Sequence, residues 1–227
     1  MATEYVVPPP SQPAVNVRGI KAMFPVRRIF CILGNYTSSP WPTPVKDGVP
    51  PVFTKPADAI VPDGATLPYT GATRSLYHEV QLVAAIGRPA RAVDAERARS
   101  CIFGFAVGVD LGRRDLIDLA KRERLPWDPG SAFDLSAPVG AIQRATDFDP
   151  SSGRIRLDVN GDNRQDADIA DMVQDAATVV SRVSQLFKLV PGDLVFTGSP
   201  AGGGELLPGD MVQASIQGLE PLSFQVV

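Results

Sequence analysis

Histidine and cysteine are almost missing from this chain. One histidine and two cysteines occur in 227 residues. A single histidine excludes a His-rich metal site. Cys31 and Cys101 both sit in apolar runs, which reads as buried thiols of a reducing compartment and not as a disulfide framework. No run of like charge stands out and the net charge is only −3. Nucleic acid and anionic membrane surfaces are therefore not expected partners. No apolar run reaches the roughly 18 residues needed to cross a bilayer. The first residues lack the basic and apolar regions of a secretory signal. These absences lead to the expectation of a soluble, cytoplasmic protein. There is no internal repeat. The triplet Gly202-Gly203-Gly204 is not a phosphate loop, because no Lys-Ser/Thr follows it.

What is present is a hydrophobic fraction of 44%, enough for a proper core, and 22 prolines. The prolines gather at Pro8-Pro9-Pro10 and between Pro40 and Pro51, where neither helix nor central strand can form. Residues 1–24 read as an extended arm and 25–227 as one domain. Strands are expected over 26–33, 52–56, 76–86, 101–111, 154–159 and 194–196. Asn160-Gly161 is a hairpin signal. Helices are expected over 94–100, 114–124 and, as one long amphipathic element, 169–189, with Met172, Val179, Val183 and Phe187 on its apolar stripe. Strands outnumber helices without βαβ alternation, which argues α+β with a mixed, rolled sheet.

The chemistry concentrates in Leu76–Val83. Alternate strand residues share a face, so Glu79 and Gln81 point the same way out of an apolar strand while His78 points the other way. Side-by-side polar oxygens are costly to bury unpartnered. A hard divalent cation is one partner, and Asp110 at the end of a second apolar strand could complete its shell. The alternative is a structural polar cluster. His78 reads as a core histidine, Arg114 with Asp115 as a structural ion pair as much as a site, and Trp41 and Trp127 as pocket walls or plain packing.

The order of motifs resembles the fumarylacetoacetate hydrolase family, and within it the bacterial fumarylpyruvate hydrolases. The matching pieces are Pro25 to Cys31, Asn35-Tyr36, Lys55-Pro56-Ala57-Asp58, His78-Glu79-Val80 and Asp110 to Leu116. They continue through Pro126-Trp127-Asp128, Ser136-Ala137-Pro138, Val159-Asn160-Gly161, Pro191-Gly192-Asp193 and Thr197 to Gly202. The resemblance implies a mixed β-sandwich roll, barrel-like, usually a homodimer. It implies chemistry on 2-oxo acids and dicarbonyls with Mg²⁺ or Mn²⁺ held by three carboxylates. Carried over by position, Glu79 and Asp110 match two of these, and Gln81 stands at the third. A metal is then held weakly or not at all. Ser39 and Pro42 stand where the resemblance implies a His-Glu water-activating pair, and Ser131 where it implies a lysine. Catalytic positions are thus Ser39, Ser131 and Asp110. Substrate-binding positions are Tyr36, Lys55, Arg114, Thr197 and Ser199. The expected function is metal-assisted enolate chemistry on a small acylpyruvate-like molecule, with hydrolytic C–C cleavage weak or lost. The alternatives are an isomerase, decarboxylase or cyclase without activated water, or a non-catalytic ligand-binding protein.

Overall fold

A computed structural model describes residues 5–41, 48–69 and 71–227. Two open mixed sheets face each other. The larger, of seven strands, runs Gln143–Arg144, Ile102–Arg113, Leu76–Ile86, Asp193–Phe196, Arg28–Ile32 and Val52–Lys55, with Gly204–Leu206 pairing separately on Leu76–Ile86. Asp193–Phe196 and Arg28–Ile32 are parallel; the other pairs in this sheet are antiparallel. The second sheet runs Asp162–Asp168, Arg154–Val159, Met211–Ile216, Leu222–Val226 and Ala65–Leu67. Neither sheet closes on itself among the described residues, so the barrel-like expectation is corrected to a pair of open sheets, while the mixed α+β character stands. No described helix is long and apolar enough to cross a membrane.

Both faces of the large sheet are covered, which explains the near-continuous apolar run from Leu82 to Ile86. Val80, Leu82, Val107 and Val109 meet Ile155, Leu157, Val212 and Phe224 of the second sheet. On the reverse face, Val83, Ala85, Ala106 and Phe196 meet Val15, Val17, Phe24 and Ile142. The N-terminal segment reaches this face as a two-stranded ribbon, Ala14–Val15 against Phe24–Pro25. Gly108 lies on that side too, and a Cβ there would stand 2.5 Å from Val83 Cγ2 and 2.8 Å from Phe196 Cε1. The strand can pass so close only as glycine.

Elements with self-sufficient local signals form as the sequence predicts. Leu76–Ile86 and Arg154–Val159 have the expected limits. Asn160 and Gly161 take positive φ values of 54° and 86° between paired Val159 and Asp162, as a tight hairpin turn requires. The long helix over 169–189 is not formed. Ile169–Asp171 is a short 3₁₀ turn, and the α-helix is only Ala176–Leu186, capped by Asp175 through a 2.7 Å bond from Thr178 N–H. Between them Asn35 holds the chain out of helix. Its carbonyl accepts Val173 N–H at 2.8 Å, and its side chain exchanges two bonds with the Gln174 backbone at 2.9 Å each. Met172 and Phe187 therefore leave the expected stripe.

His78 is fully buried beneath the second sheet's side of Leu76–Ile86. Gln165 Oε1 accepts Val80 N–H at 2.9 Å and lies 3.3 Å from His78 Nδ1, so Nδ1 carries the proton, and Nε2 has no partner among the described residues. Burial lowers the imidazole from 6.5 to about 4, against the Gln165 bond that raises it. The unfolded chain takes up this proton near 6.5 and the folded one only near 4, so stability falls as pH drops through that window, by up to about 3 kcal/mol. We expect His78→Asn, which keeps a donor for Gln165, to lose markedly less stability than the parent between pH 7 and pH 4.5 in urea unfolding. Equal losses would show that His78 does not titrate in this way.

Candidate active site

The register sets Glu79 opposite Asp110 and Gln81 opposite Gly108. Glu79, Gln81, Asp110, Cys31, Phe53 and Lys55 share the reverse face of the large sheet, near one end of its long strands. There Phe53, Glu79 and Asp110 floor a small cavity of about 30 Å³, with Gln81 and Lys55 in contact with Asp110 beneath. Glu79, Asp110, Ser131 and Arg114 line it, together with Trp41, Tyr77, Phe53 and Trp127. Space of this size holds a few atoms.

Asp110 is anchored from below. The Lys55 ammonium, with no exposed surface, lies 2.9 Å from Asp110 Oδ1, 2.9 Å from Leu111 O and 3.0 Å from Ser136 Oγ, and also meets Ser131 O. Lys55 thus sits behind the carboxylate and does not line the cavity. Burial raises Asp110 and the Lys55 charge opposes it. Glu79 accepts the Trp41 indole N–H at 3.1 Å. Burial first, and then the Asp110 charge, push Glu79 up to about 7; the Trp41 bond, Arg114 and Lys121 pull the other way. Glu79 is therefore a carboxyl that can give or take a proton near neutral pH.

Above this floor Trp41 and Trp127 stack, 6.5 Å apart at 24°. The Lys121 ammonium lies 3.7 Å from the centre of the Trp41 ring, and Arg114 5.7 Å from it. Both cations belong to the helix Arg114–Glu123, seven residues apart and so on one face. Arg114 pairs with Asp118 at 3.2 Å, while Asp115 binds Thr73 and the N–H groups of Arg74 and Leu116. The expected Arg114–Asp115 pair is not formed: Asp115 turns back to hold the preceding turn. Lys121 was missed in the sequence, although its spacing from Arg114 was a usable signal.

The remaining predicted positions turn their polar groups elsewhere. Ser131 turns its hydroxyl to Trp127 O at 3.0 Å. Ser39 supports the wall from behind, its Oγ accepting Trp41 N–H at 3.3 Å. Tyr36 is buried off the cavity, its hydroxyl without a partner among the described residues. Thr197 Oγ1 donates to Leu82 O at 2.9 Å, and Ser199 Oγ accepts from Gln165 Nε2 at 2.9 Å. Neither lines the cavity. Pro42, and with it half of the Pro40–Pro51 stretch, lies outside the described residues.

Gln81 decides whether a divalent cation suits this floor. Gly198 N–H meets its side chain at 2.7 Å, and only the amide oxygen can accept there. The amide NH₂ is thereby turned towards Asp110, Nε2 to Oδ2 3.4 Å. A carboxylate in this place would present oxygen on both sides; the amide presents a donor to the floor. Among the described residues no group of three His, Cys, Asp or Glu could hold a metal. The residues therefore do not fit the three-carboxylate shell that the resemblance implies.

Residues 28–227 match the model of the fumarylacetoacetate (FAA) hydrolase C-terminal family. A fumarylpyruvate hydrolase of Ralstonia is 32% identical over 174 residues, 77% of this chain and 91% of that one. An oxaloacetate tautomerase of Escherichia coli is 32% identical over 211 residues, 89% and 94% of the two chains. The crystal structure of a fumarylpyruvate hydrolase from Pseudomonas aeruginosa in complex with Mn²⁺ and pyruvate superposes with a TM-score of 0.94, at 37% identity and 99% coverage of both chains. Two open sheets carrying a carboxylate-floored cavity thus agree with the family model over most of the chain. This protein belongs to the fumarylacetoacetate hydrolase family.

The Gln81 geometry makes a direct prediction. Gln81→Glu should gain Mn²⁺ binding, seen as a raised unfolding midpoint and loss of the free Mn²⁺ signal in electron paramagnetic resonance. Binding at 100 times Kd adds about 2.7 kcal/mol. The parent should respond far less at the same metal concentration. Equal responses would mean that the amide does not block the site.

Proposed function

We propose that this protein acts on a small acylpyruvate-like 2-oxo acid or dicarbonyl by moving a proton between carbon and oxygen through an enolate, with hydrolytic C–C cleavage weak or lost. The relatives are named for fumarylpyruvate and oxaloacetate, both 2-oxo acids with a second carboxylate. The observation that carries the reading is the contrast between Glu79 and Ser39. Glu79 is a carboxyl held near 7 at the floor of the cavity, suited to shuttle a proton. Ser39, at the position where the water-activating imidazole is implied, only accepts the Trp41 N–H, and a serine hydroxyl without an adjacent base does not activate water near neutral pH. The one histidine, His78, lies on the opposite face of the strand. Arg114 at the cavity wall offers a guanidinium to the substrate's carboxylate. Lys55 keeps Asp110 anchored as the fixed charge beside Glu79.

Mg²⁺ or Mn²⁺ is held weakly at most in this reading, because Gln81 removes one formal charge and one oxygen from the shell. The same reading takes residues 25–227 as the catalytic-like domain, 1–24 as an arm, and the protein as a cytoplasmic homodimer. The scarcity of cysteine, both copies buried and free, agrees with a reducing compartment.

Two assays test this together. Enol–keto equilibration of an acylpyruvate, followed by ultraviolet absorbance, should be accelerated, and Glu79→Gln should slow it about 100-fold or more. Pyruvate release from the same compound should run far below the roughly 10 s⁻¹ of a dedicated enzyme. Pyruvate release at that rate would sink the account of Ser39. Binding with neither activity would make this a ligand-binding protein instead.

A further inference from the structure

The cavity above Glu79 and Asp110, about 30 Å³, admits the head of a 2-oxo acid and little more. The rest of the molecule must leave it. Leu33, Phe53, Trp127 and Ser131 form one wall of the cavity and at the same time one wall of an adjoining cleft of about 450 Å³. Beyond this shared wall the cleft continues over Pro51 and Val52. Ser131, whose short side chain is turned to Trp127 O at 3.0 Å, belongs to this shared wall.

Resting on the function proposed above, we infer that this cleft receives the tail of the substrate, and that the tail is an uncharged aryl or alkyl group and not a second carboxylate. The lining combines apolar Leu33, Pro51, Val52, Phe53 and Trp127 with the uncharged hydroxyls of Thr54 and Ser131. Its one ionisable side chain is Asp128, and among the described residues no lysine, arginine or histidine lines it. A tail carboxylate would lose water there, face a like charge and gain no counter-ion. An aryl tail would instead lie between Leu33, Phe53 and the Trp127 ring, where each square ångström of apolar surface withdrawn from water is favourable. The cations of the site do not line the cleft: Arg114 and Lys121 lie against Trp41, Lys121 also 5.4 Å from the centre of the Trp127 ring, and of the two Arg114 lines the cavity that takes the head. The specificity of this chain would therefore differ from that of its named relatives in the tail and not in the head.

Three probes separate the head from the tail: pyruvate, fumarylpyruvate and benzoylpyruvate, each titrated calorimetrically against the full-length protein. Benzoylpyruvate should bind at least about tenfold tighter than fumarylpyruvate. Asp128→Asn, a mild change on an exposed side chain, should narrow that ratio by strengthening fumarylpyruvate alone. Thr54→Asp, at an exposed residue that lines the cleft and not the cavity, should weaken benzoylpyruvate and leave pyruvate unchanged. Pyruvate binding with fumarylpyruvate equal to or tighter than benzoylpyruvate overturns the tail assignment and leaves the proposed function standing. Absence of pyruvate and acylpyruvate binding at millimolar concentration overturns both.

Discussion

The site depends on one ion pair, Lys55 with Asp110. Lys55 comes from the edge strand of the large sheet and Asp110 from a strand at its other side. Between them the ammonium also holds Leu111 O, Ser131 O and Ser136 Oγ. One buried cation thus ties two strands, the short helix Asp128–Ser131 and the segment entering Ala137–Pro138. Desolvating such a pair is expensive, and it endures because every proton on the nitrogen finds an acceptor. Removing either partner leaves a naked charge in the interior, a loss of about 3–5 kcal/mol. The pair is accordingly a foundation of the site as well as a part of it.

From that foundation the remaining electrostatics follow. Lys55 compensates Asp110 directly, whereas the nearest donor to Glu79 is a neutral indole. Two carboxyls on adjacent strands, one with a cation in contact and one without, cannot titrate alike. The Asp110 charge adds to burial in raising Glu79 to about 7. The asymmetry divides the roles: a carboxyl pinned by a buried cation beside one whose proton can move. Gln81 fits the same logic. Its amide donates towards Asp110 and accepts from Gly198, relieving the floor of a third negative charge that no described cation would balance.

How much of this was legible in the sequence follows from how local each feature is. The strand Leu76–Ile86, the Asn160-Gly161 turn and the shared face of Glu79, Gln81 and Asp110 depend on period-two alternation and on single-residue turn chemistry, which the sequence displays. The break in the helix after Asp171 depends on Asn35, more than 130 residues away, gripping Val173 and Gln174. No window around residue 171 could reveal it. Arg114 and Asp115 are adjacent in sequence, and adjacent helix residues do not face each other; Asp118 and Lys121 share the side of Arg114. That error was avoidable. The role of Gln81 as a donor was not, because it follows from a backbone N–H at Gly198 that only the fold brings within reach.

Gly198 shows how closely the two halves of the molecule are fitted at this point. Its φ of +104° belongs to glycine, and a Cβ there would stand 2.7 Å from Asn35 Cβ. The same Asn35 accepts and donates at Gln174 and donates to Thr197 O at 2.7 Å. One asparagine therefore positions the loop that carries Gly198, and Gly198 orients the Gln81 amide. The orientation of that amide decides which kind of atom lies beside Asp110, just beneath the cavity floor. A side chain that never touches the cavity thus sets its chemistry, through two hydrogen bonds and one residue that must lack a side chain.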